Sequence, residues 1–266
     1  MRVLFVIALA STALGQISSF TLESRENTVT VSFNVPKGVP APVVTGAPCS
    51  ADQVIGNVQT LADGAHVDRG NSVRHFNRDS QGRTRIERPI LVTRDENGWN
   101  LTVIEIRDPV DGLYTILDQQ NKVAHRFATP WPPSRPAVTR RGEGPPVPSS
   151  SKPAADGKTP ETSFEKLGNQ MMEGVMVEGY RSTTTWPVGS QGNDRPIVAT
   201  HESWYSQDLK TEVLTKNSDP RFGENTFKLT NLDRTEPDLA LFQVPRDYTI
   251  VDEKSPFKMS ATRREH

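Results

Sequence analysis

The feature that most restricts the fold of this chain is its punctuation. From residue 54 onward, short runs rich in Val, Ile, Thr and aromatic residues are broken about every ten residues by clusters of Asp, Asn, Ser and Gly. Val54 to Leu61 meets Ala62-Asp63-Gly64. Ala65 to Phe76 meets Asp79-Ser80-Gln81-Gly82, and Arg83 to Val92 meets Asp95-Glu96-Asn97-Gly98. Leu101 to Ile106 then meets Asp108-Pro109-Val110-Asp111-Gly112, Leu113 to Leu117 meets Asp118-Gln119-Gln120-Asn121, and Lys122 to Phe127 closes the series. Asn-Gly and Asp-Gly supply the positive φ that tight hairpins demand, so each break has a mechanism. Strands at this spacing predict a mainly β fold, an antiparallel meander and not βαβ units.

The series is interrupted once. Residues 129–160 carry a large share of the 21 prolines among Ser, Gly and charged residues, a composition that reads as a disordered, semi-extended linker. Strand signals resume in Phe164 to Gln170, Val175 to Thr185, Ile197 to Tyr205, Lys210 to Lys216 and Phe222 to Leu232. A short helical turn is expected at Pro237 to Leu241, with Pro at its first position. The organisation is therefore a signal peptide over 1–15, a Pro-containing segment with one strand over 16–48, and a first half-meander over 49–128. The linker of 129–160, a second half-meander over 161–251 and a disordered tail over 252–266 follow. Whether the two halves make one sheet or two is left open by the pattern.

The N-terminus supplies an address. Met1-Arg2 precedes the apolar run Val3 to Ala10, and Ala13 and Gly15 stand at the −3 and −1 places of a cleavage before Gln16. The run is too short to span a bilayer, which takes roughly 20 apolar residues, so no transmembrane segment is expected. The protein reads as exported, to a periplasm or to the medium.

Composition removes several functions. A formal net charge of −1 argues against a nucleic-acid binder, whose phosphate contacts need a basic excess. A single Cys, Cys49, rules out a disulfide framework and a four-thiolate zinc site, and it reads as a buried small residue. His201-Glu202-Ser203-Trp204-Tyr205 starts like a zinc-protease helix but lacks the second His and lies in a period-2 segment. The motif around Ser190 has Val188 where a nucleophile elbow needs Gly. No cofactor motif is present, and an enzyme would require two of His66, His75, His125 and His201 to converge with a carboxylate.

Two clusters are candidate contacts. Arg74, Arg78, Arg83 and Arg85 crowd one stretch with few acids, either as a patch for an anionic partner or as a solvated face that blunts edge pairing. Met171, Met172 and Met176 offer an adaptable apolar surface, or ordinary core filler.

Glu202-Ser203-Trp204-Tyr205-Ser206-Gln207-Asp208-Leu209-Lys210-Thr211-Glu212-Val213 resembles a hairpin of the periplasmic lipoprotein-carrier family. Pro237-Asp238-Leu239-Ala240-Leu241-Phe242-Gln243-Val244-Pro245 resembles the turn that closes the sheet in that family, and Tyr114 to Asp118 and Glu173-Gly174-Val175 fit its strand order. Thr60 to Gly64, Arg78 to Arg85 and Ser218 to Glu224 also look like a set of uncharacterised exported bacterial β-rich proteins. The resemblance implies a curved, half-barrel-like antiparallel sheet whose concave face takes acyl chains or an apolar peptide segment. The chain departs from it in having no amphipathic helix to cover that face. The expectation is a non-catalytic binding protein for an apolar or lipid-like ligand. The alternatives are a structural or interaction module of the cell envelope, partnered by an envelope protein, and a hydrolase with a dispersed site.

Overall fold

The computed structural model describes residues 3–5, 20–25, 28–33, 42–61, 63–92, 100–128, 159–254 and 256–262. Among these, the strands are β1 (Val3–Phe5), β2 (Phe20–Arg25), β3 (Thr28–Phe33), β4 (Cys49–Thr60), β5 (His66–Arg78), β6 (Thr84–Val92), β7 (Asn100–Asp108) and β8 (Leu113–Asp118). They continue as β9 (Val123–Ala128), β10 (Glu161–Met172), β11 (Val175–Trp186), β12 (Ile197–Ser206), β13 (Thr211–Asp219), β14 (Gly223–Asp233), β15 (Thr249–Asp252) and β16 (Phe257–Thr262). A single 3-10 turn, Leu239–Phe242, is capped by the Asp238 carboxylate, which accepts from the Ala240 N–H. The protein is mainly β and its strands are neighbours in sequence order within β4 to β9 and within β10 to β14, as the punctuation predicts; β14 pairs antiparallel with β4, and β15 is parallel to β9.

The breaks work as expected. Asp79 Oδ1 accepts from the backbone N–H groups of Gln81 and Arg83 at 3.0 and 2.8 Å, and Gly82 completes the turn at a φ of 85°. Asp118 accepts from Gln120 and Asn121 in the same way, and Asp108 from Val110 and Asp111. Each Asp thus satisfies backbone donors that the reversing chain leaves without ladder partners.

Contacts divide the chain into two units. The first comprises Met1–Pro48, Phe76–Val138 and Glu236–His266; the second comprises Cys49–His75 and Thr139–Thr235. The hydrogen-bonded order is β10-β11-β12-β13-β14-β4-β5-β6-β7-β8-β9-β15, with β5 beginning in the second unit and ending in the first. A separate order, β1-β2-β3-β16, lies within the first unit.

In the first unit both faces of β7 are buried. Ile104 and Ile106 join Leu117, Ala124 and Phe242 in one cluster, against which Leu241, Val244 and Tyr248 pack. The opposite face carries Val103, Ile116 and Phe127, all buried. There the Phe257 ring stacks on Phe33 at 5.1 Å and on His125 at 4.0 Å, and meets Phe127 at 5.6 Å. Buried on that same face, Arg88 donates to Glu105 at 2.6 Å and the Tyr114 hydroxyl donates to Glu105 at 2.9 Å. Burial and the neighbouring carboxylate push the Tyr114 hydroxyl well above its ordinary pKa, and burial holds Arg107, directly opposite Tyr114, down at about 10.

Two expectations change. Phe257–Thr262, read as part of a disordered tail, is β16, paired with β3. Phe257 and Met259 alternate with Lys258 and Ser260, and their burial gives the segment a reason to order. The segment of 16–48 holds two strands, not one, because Phe20-Thr21-Leu22-Glu23 alternates as well. Of the stretch read as a signal peptide, Val3–Phe5 is placed as a strand against β2. Nearly all of the Pro-rich linker, residues 129–158, lies outside the described residues.

Candidate functional site

The second unit presents two unlike sheet faces. On one, the register aligns Glu165, Arg181, Glu202 and Lys216 across β10 to β13. Arg181 donates to Glu202 at 2.8 Å and to Glu165 at 3.5 Å, and Lys216 pairs with Glu224 at 3.0 Å. The Trp204 indole shares this face, donating from Nε1 to Glu202 Oε1 at 2.7 Å and lying against the backbone of Gly179, its cross-strand partner. Burial raises the Glu202 carboxyl, but the hydrogen bonds from Trp204 and Arg181 outweigh it and hold the group below its ordinary range. Alternating charges across neighbouring strands are what a water-facing surface of an antiparallel sheet carries.

The other face mixes aromatic and apolar side chains with polar ones, for the register also puts Lys166, Glu178, His201, Ser203 and Thr215 on it, and Lys166 pairs with Glu178. Period-2 alternation places Phe164, Tyr180, Phe227 and Ile55 on it, all half-buried. One step along, Gln53 stands directly opposite Leu229, and both are buried, as is Val213 at a bulge of β13. Met171 and Met176 extend the same face to the tip of the β10–β11 hairpin. They face each other across the strands and are 60% and 51% exposed. Glu173 and Gly174 make that tip, with φ of 47° and 76°, as a two-residue turn requires. Met172 points the other way, opposite buried Val175. The three methionines therefore separate: two share this face and one does not.

The arginines are drawn into the chain. Arg78 is 2% exposed and donates from Nε to the Ala47 carbonyl. Arg83 bridges Asp79 and Asp108 at 2.9 and 3.1 Å. Arg85 pairs with Glu87 and donates to the Leu241 carbonyl, while Arg74 is half-buried on β5. Three of the four thus tie turns and strands together, so the fold does not gather the quartet into one anion-binding surface.

The histidines also stay apart. His66 bonds Thr60, His75 bonds Asp52 at 2.6 Å, His125 bonds Glu253 at 2.7 Å and His201 bonds Asn217 at 2.6 Å. Each imidazole has a partner of its own on a neighbouring strand or segment. Among the described residues no group of three His, Cys, Asp or Glu is placed to hold a metal ion. Cys49 is a fully buried thiol outside any disulfide.

Sequence reasoning passed over Gln53. Its signal was present: Cys49, Ala51, Gln53 and Ile55 occupy one face of a strand, and the amide is the polar member of that series. The buried Arg88–Glu105–Tyr114 group was passed over too, because Glu105 between Ile104 and Ile106 reads as the solvent side of a one-sided strand.

No family model matches the chain, and no curated protein does. Solved structures do. LprF from Mycobacterium bovis is 11% identical, covering 77% of this chain and 91% of its own at a TM-score of 0.30. The lipoprotein LppX of Mycobacterium tuberculosis is 15% identical, covering 72% of this chain and 90% of its own at 0.22. A putative outer membrane lipoprotein-sorting protein domain from Vibrio parahaemolyticus is 10% identical, covering 74% and 89% at 0.16. At such scores these likenesses carry no argument about the site. The chain is distantly similar to a set of structures that includes a lipoprotein and a putative lipoprotein-sorting domain.

Proposed function

We propose that the chain is an exported, non-catalytic binding protein that holds an apolar or lipid-like ligand on the sheet face of its second unit that carries Phe164, Tyr180 and Phe227. The observation that carries this reading is the set of half-buried and exposed apolar side chains on one sheet face, Phe164, Tyr180 and Phe227 with Met171 and Met176. Charges laddered at Glu165, Arg181, Glu202 and Lys216 mark one face as the wet one. The other face carries half-buried aromatic side chains and ends in an exposed methionine pair. Apolar side chains left partly in water gain free energy when an apolar ligand covers them. Methionine and aromatic side chains suit an irregular acyl chain, because they adapt their shape without polar demands. Export rests on the N-terminal pattern of Met1 to Gly15.

The test is direct. The chain from Gln16 to His266, purified gently from an exporting host, is weighed by native mass spectrometry and then titrated with diphenylhexatriene, a fluorescent hydrocarbon. A bound lipid mass or saturable fluorescence, lost in Met176→Lys and Phe227→Lys variants that still fold, supports the reading. A clean mass together with no saturable fluorescence sinks it.

A second reading has one observation of its own. The Arg221 guanidinium sits 4.3 Å from the Trp186 ring centroid and 5.3 Å from that of Phe222, which is 66% exposed. A half-buried Trp beside an exposed Arg and Phe brings together residue types that anchor protein interfaces. An interaction module of the cell envelope would use this corner, and a partner captured by it and lost on Arg221→Ala would favour that reading.

A further inference from the structure

A row of uncharged polar side chains crosses the second unit on the face that carries Phe164, Tyr180 and Phe227. The register sets Ser182, His201, Asn217, Asn225 and Asn57 directly opposite one another on β11, β12, β13, β14 and β4. His201, Asn217 and Asn225 are exposed, and Ser182 and Asn57 are half-buried. Neighbouring strands lie about 4.8 Å apart, so the row runs about 14 Å from His201 to Asn57. Asparagine is depleted in strands, where its amide competes for backbone partners, and threonine would serve a merely solvated face better. Three asparagines in line on three strands oppose the local preference of the chain, and such conflicts gather at functional sites.

Four of these side chains bond one another in pairs. His201 donates from Nδ1 to Asn217 Oδ1 at 2.6 Å, and Asn57 donates from Nδ2 to Asn225 Oδ1 at 2.8 Å. That leaves an acceptor at His201 Nε2, donors at the Nδ2 groups of Asn217 and Asn225, and an acceptor at Asn57 Oδ1. A ligand that meets all four must donate at the ends and accept in the middle. Hydroxyl groups do both from one atom, whereas carboxylates and phosphates only accept and ammonium groups only donate. No lysine or arginine stands in the row. Lys166 on this face pairs with Glu178, Arg221 in the adjoining turn pairs with Asp219, and Glu212 accepts from Ser203 at 2.9 Å. On β5, the contacts of Asp52 with His75 and of Gly56 with Asn71 put Arg74 beside Gln53, further along β4. The adjoining row, Tyr180, Ser203, Thr215 and Phe227, adds two aromatic rings and two hydroxyls. The electron-rich face of an aromatic ring packs against the C–H groups of a sugar ring.

We infer that this row is a binding site for an uncharged, extended oligosaccharide that lies across the strands with its hydroxyls on His201, Asn217, Asn225 and Asn57. The inference goes beyond the apolar-ligand reading and stands without it, sharing only the aromatic side chains.

The experiment titrates the chain with cellohexaose, maltohexaose and chitohexaose by isothermal calorimetry, beside a heparin hexasaccharide. The variants are the double change Asn217→Thr with Asn225→Thr, and Asn57→Thr in case the double change does not fold. The expected result is saturable binding of at least one neutral hexasaccharide to wild type, weakened about tenfold or more in the variants, with melting temperatures unchanged or raised. No saturable binding of any neutral hexasaccharide to wild type overturns the inference. Undiminished binding in the variants overturns it too, and so does heparin binding tighter than every neutral hexasaccharide, since the face would then serve a polyanion. Melting temperatures lowered in both variants also overturn it, for the amides would then be serving the fold. Diphenylhexatriene reads the apolar ligand separately, so each reading fails on its own probe.

Discussion

Gly179 and Trp204 make the sharpest test of how the second unit is packed. A Cβ built on Gly179 would lie 2.4 Å from Cζ3 of the Trp204 ring and 2.6 Å from both Cε3 and Cη2. Carbon atoms in contact sit about 3.5–4.0 Å apart, so the ring must move by about 1 Å or more to admit a methyl group. It is poorly placed to do so. The indole is 8% exposed, and its N–H is fixed to Glu202 at 2.7 Å. Overpacking of this severity costs roughly 3 kcal/mol. Against that, alanine restricts the unfolded chain and returns about 0.5–1 kcal/mol, since Gly179 does not have a positive φ. Gly179→Ala is therefore expected to destabilise by about 2 kcal/mol, a fall in melting temperature of about 4–8 °C for a chain of this size. Circular dichroism melts and urea titrations measure it. The decisive control is the same substitution in a Trp204→Ala background, where the obstacle is gone and Gly179→Ala should be neutral or slightly stabilising. Equal destabilisation in both backgrounds would refute the packing argument.

Other expectations follow from the buried polar groups. Glu105→Ala leaves Arg88 buried without its carboxylate and should cost about 3–5 kcal/mol in urea titration, whereas the double change Arg88→Met with Glu105→Leu should recover most of the loss. Asp79→Ala removes the acceptor of two backbone donors and the partner of Arg83; a loss of about 2–4 kcal/mol is expected, and a neutral result would show that water replaces it. Glu202, whose folded pKa is depressed, adds stability that is complete above its unfolded pKa and disappears as pH falls through the lower folded value. The stability gap between wild type and Glu202→Gln should accordingly be widest near neutral pH and close under acid, as followed by urea midpoints; a gap that widens under acid contradicts the assigned sign. Glu173→Asn, which suits the left-handed turn position better, should stabilise the methionine-tipped hairpin by a few tenths of a kcal/mol, read as a raised urea midpoint.

Local order was written in the chain. The Asp-led turns at 79, 108 and 118 each close through hydrogen bonds a few residues away, and the Glu173-Gly174 reversal needs only its own backbone angles. Alternation assigns faces within a strand, whereas the three methionines read as one cluster in sequence and only the register sets Met171 and Met176 apart from Met172. These signals reach as far as a hairpin and its immediate partner.

What only the tertiary structure decided is which distant strands become neighbours, and so what each face meets. β4 pairs with β14, and this union of segments some 170 residues apart puts Gln53 against Leu229. No turn encodes it. β16 joins β3 from the other end of the chain, which converts a polar tail into a strand and brings the Phe257 ring onto His125. β7 is covered on both sides, which is why Glu105 is buried although its strand reads as one-sided. Asp79 and Glu87 are near neighbours of Arg83 and Arg85 in the chain, but Asp108 and the carbonyls of Ala47 and Leu241 reach the arginines only from distant segments. The reason is physical: turn geometry and alternation depend on neighbouring residues alone. Burial and partnership depend on the whole set of surfaces that folding brings together.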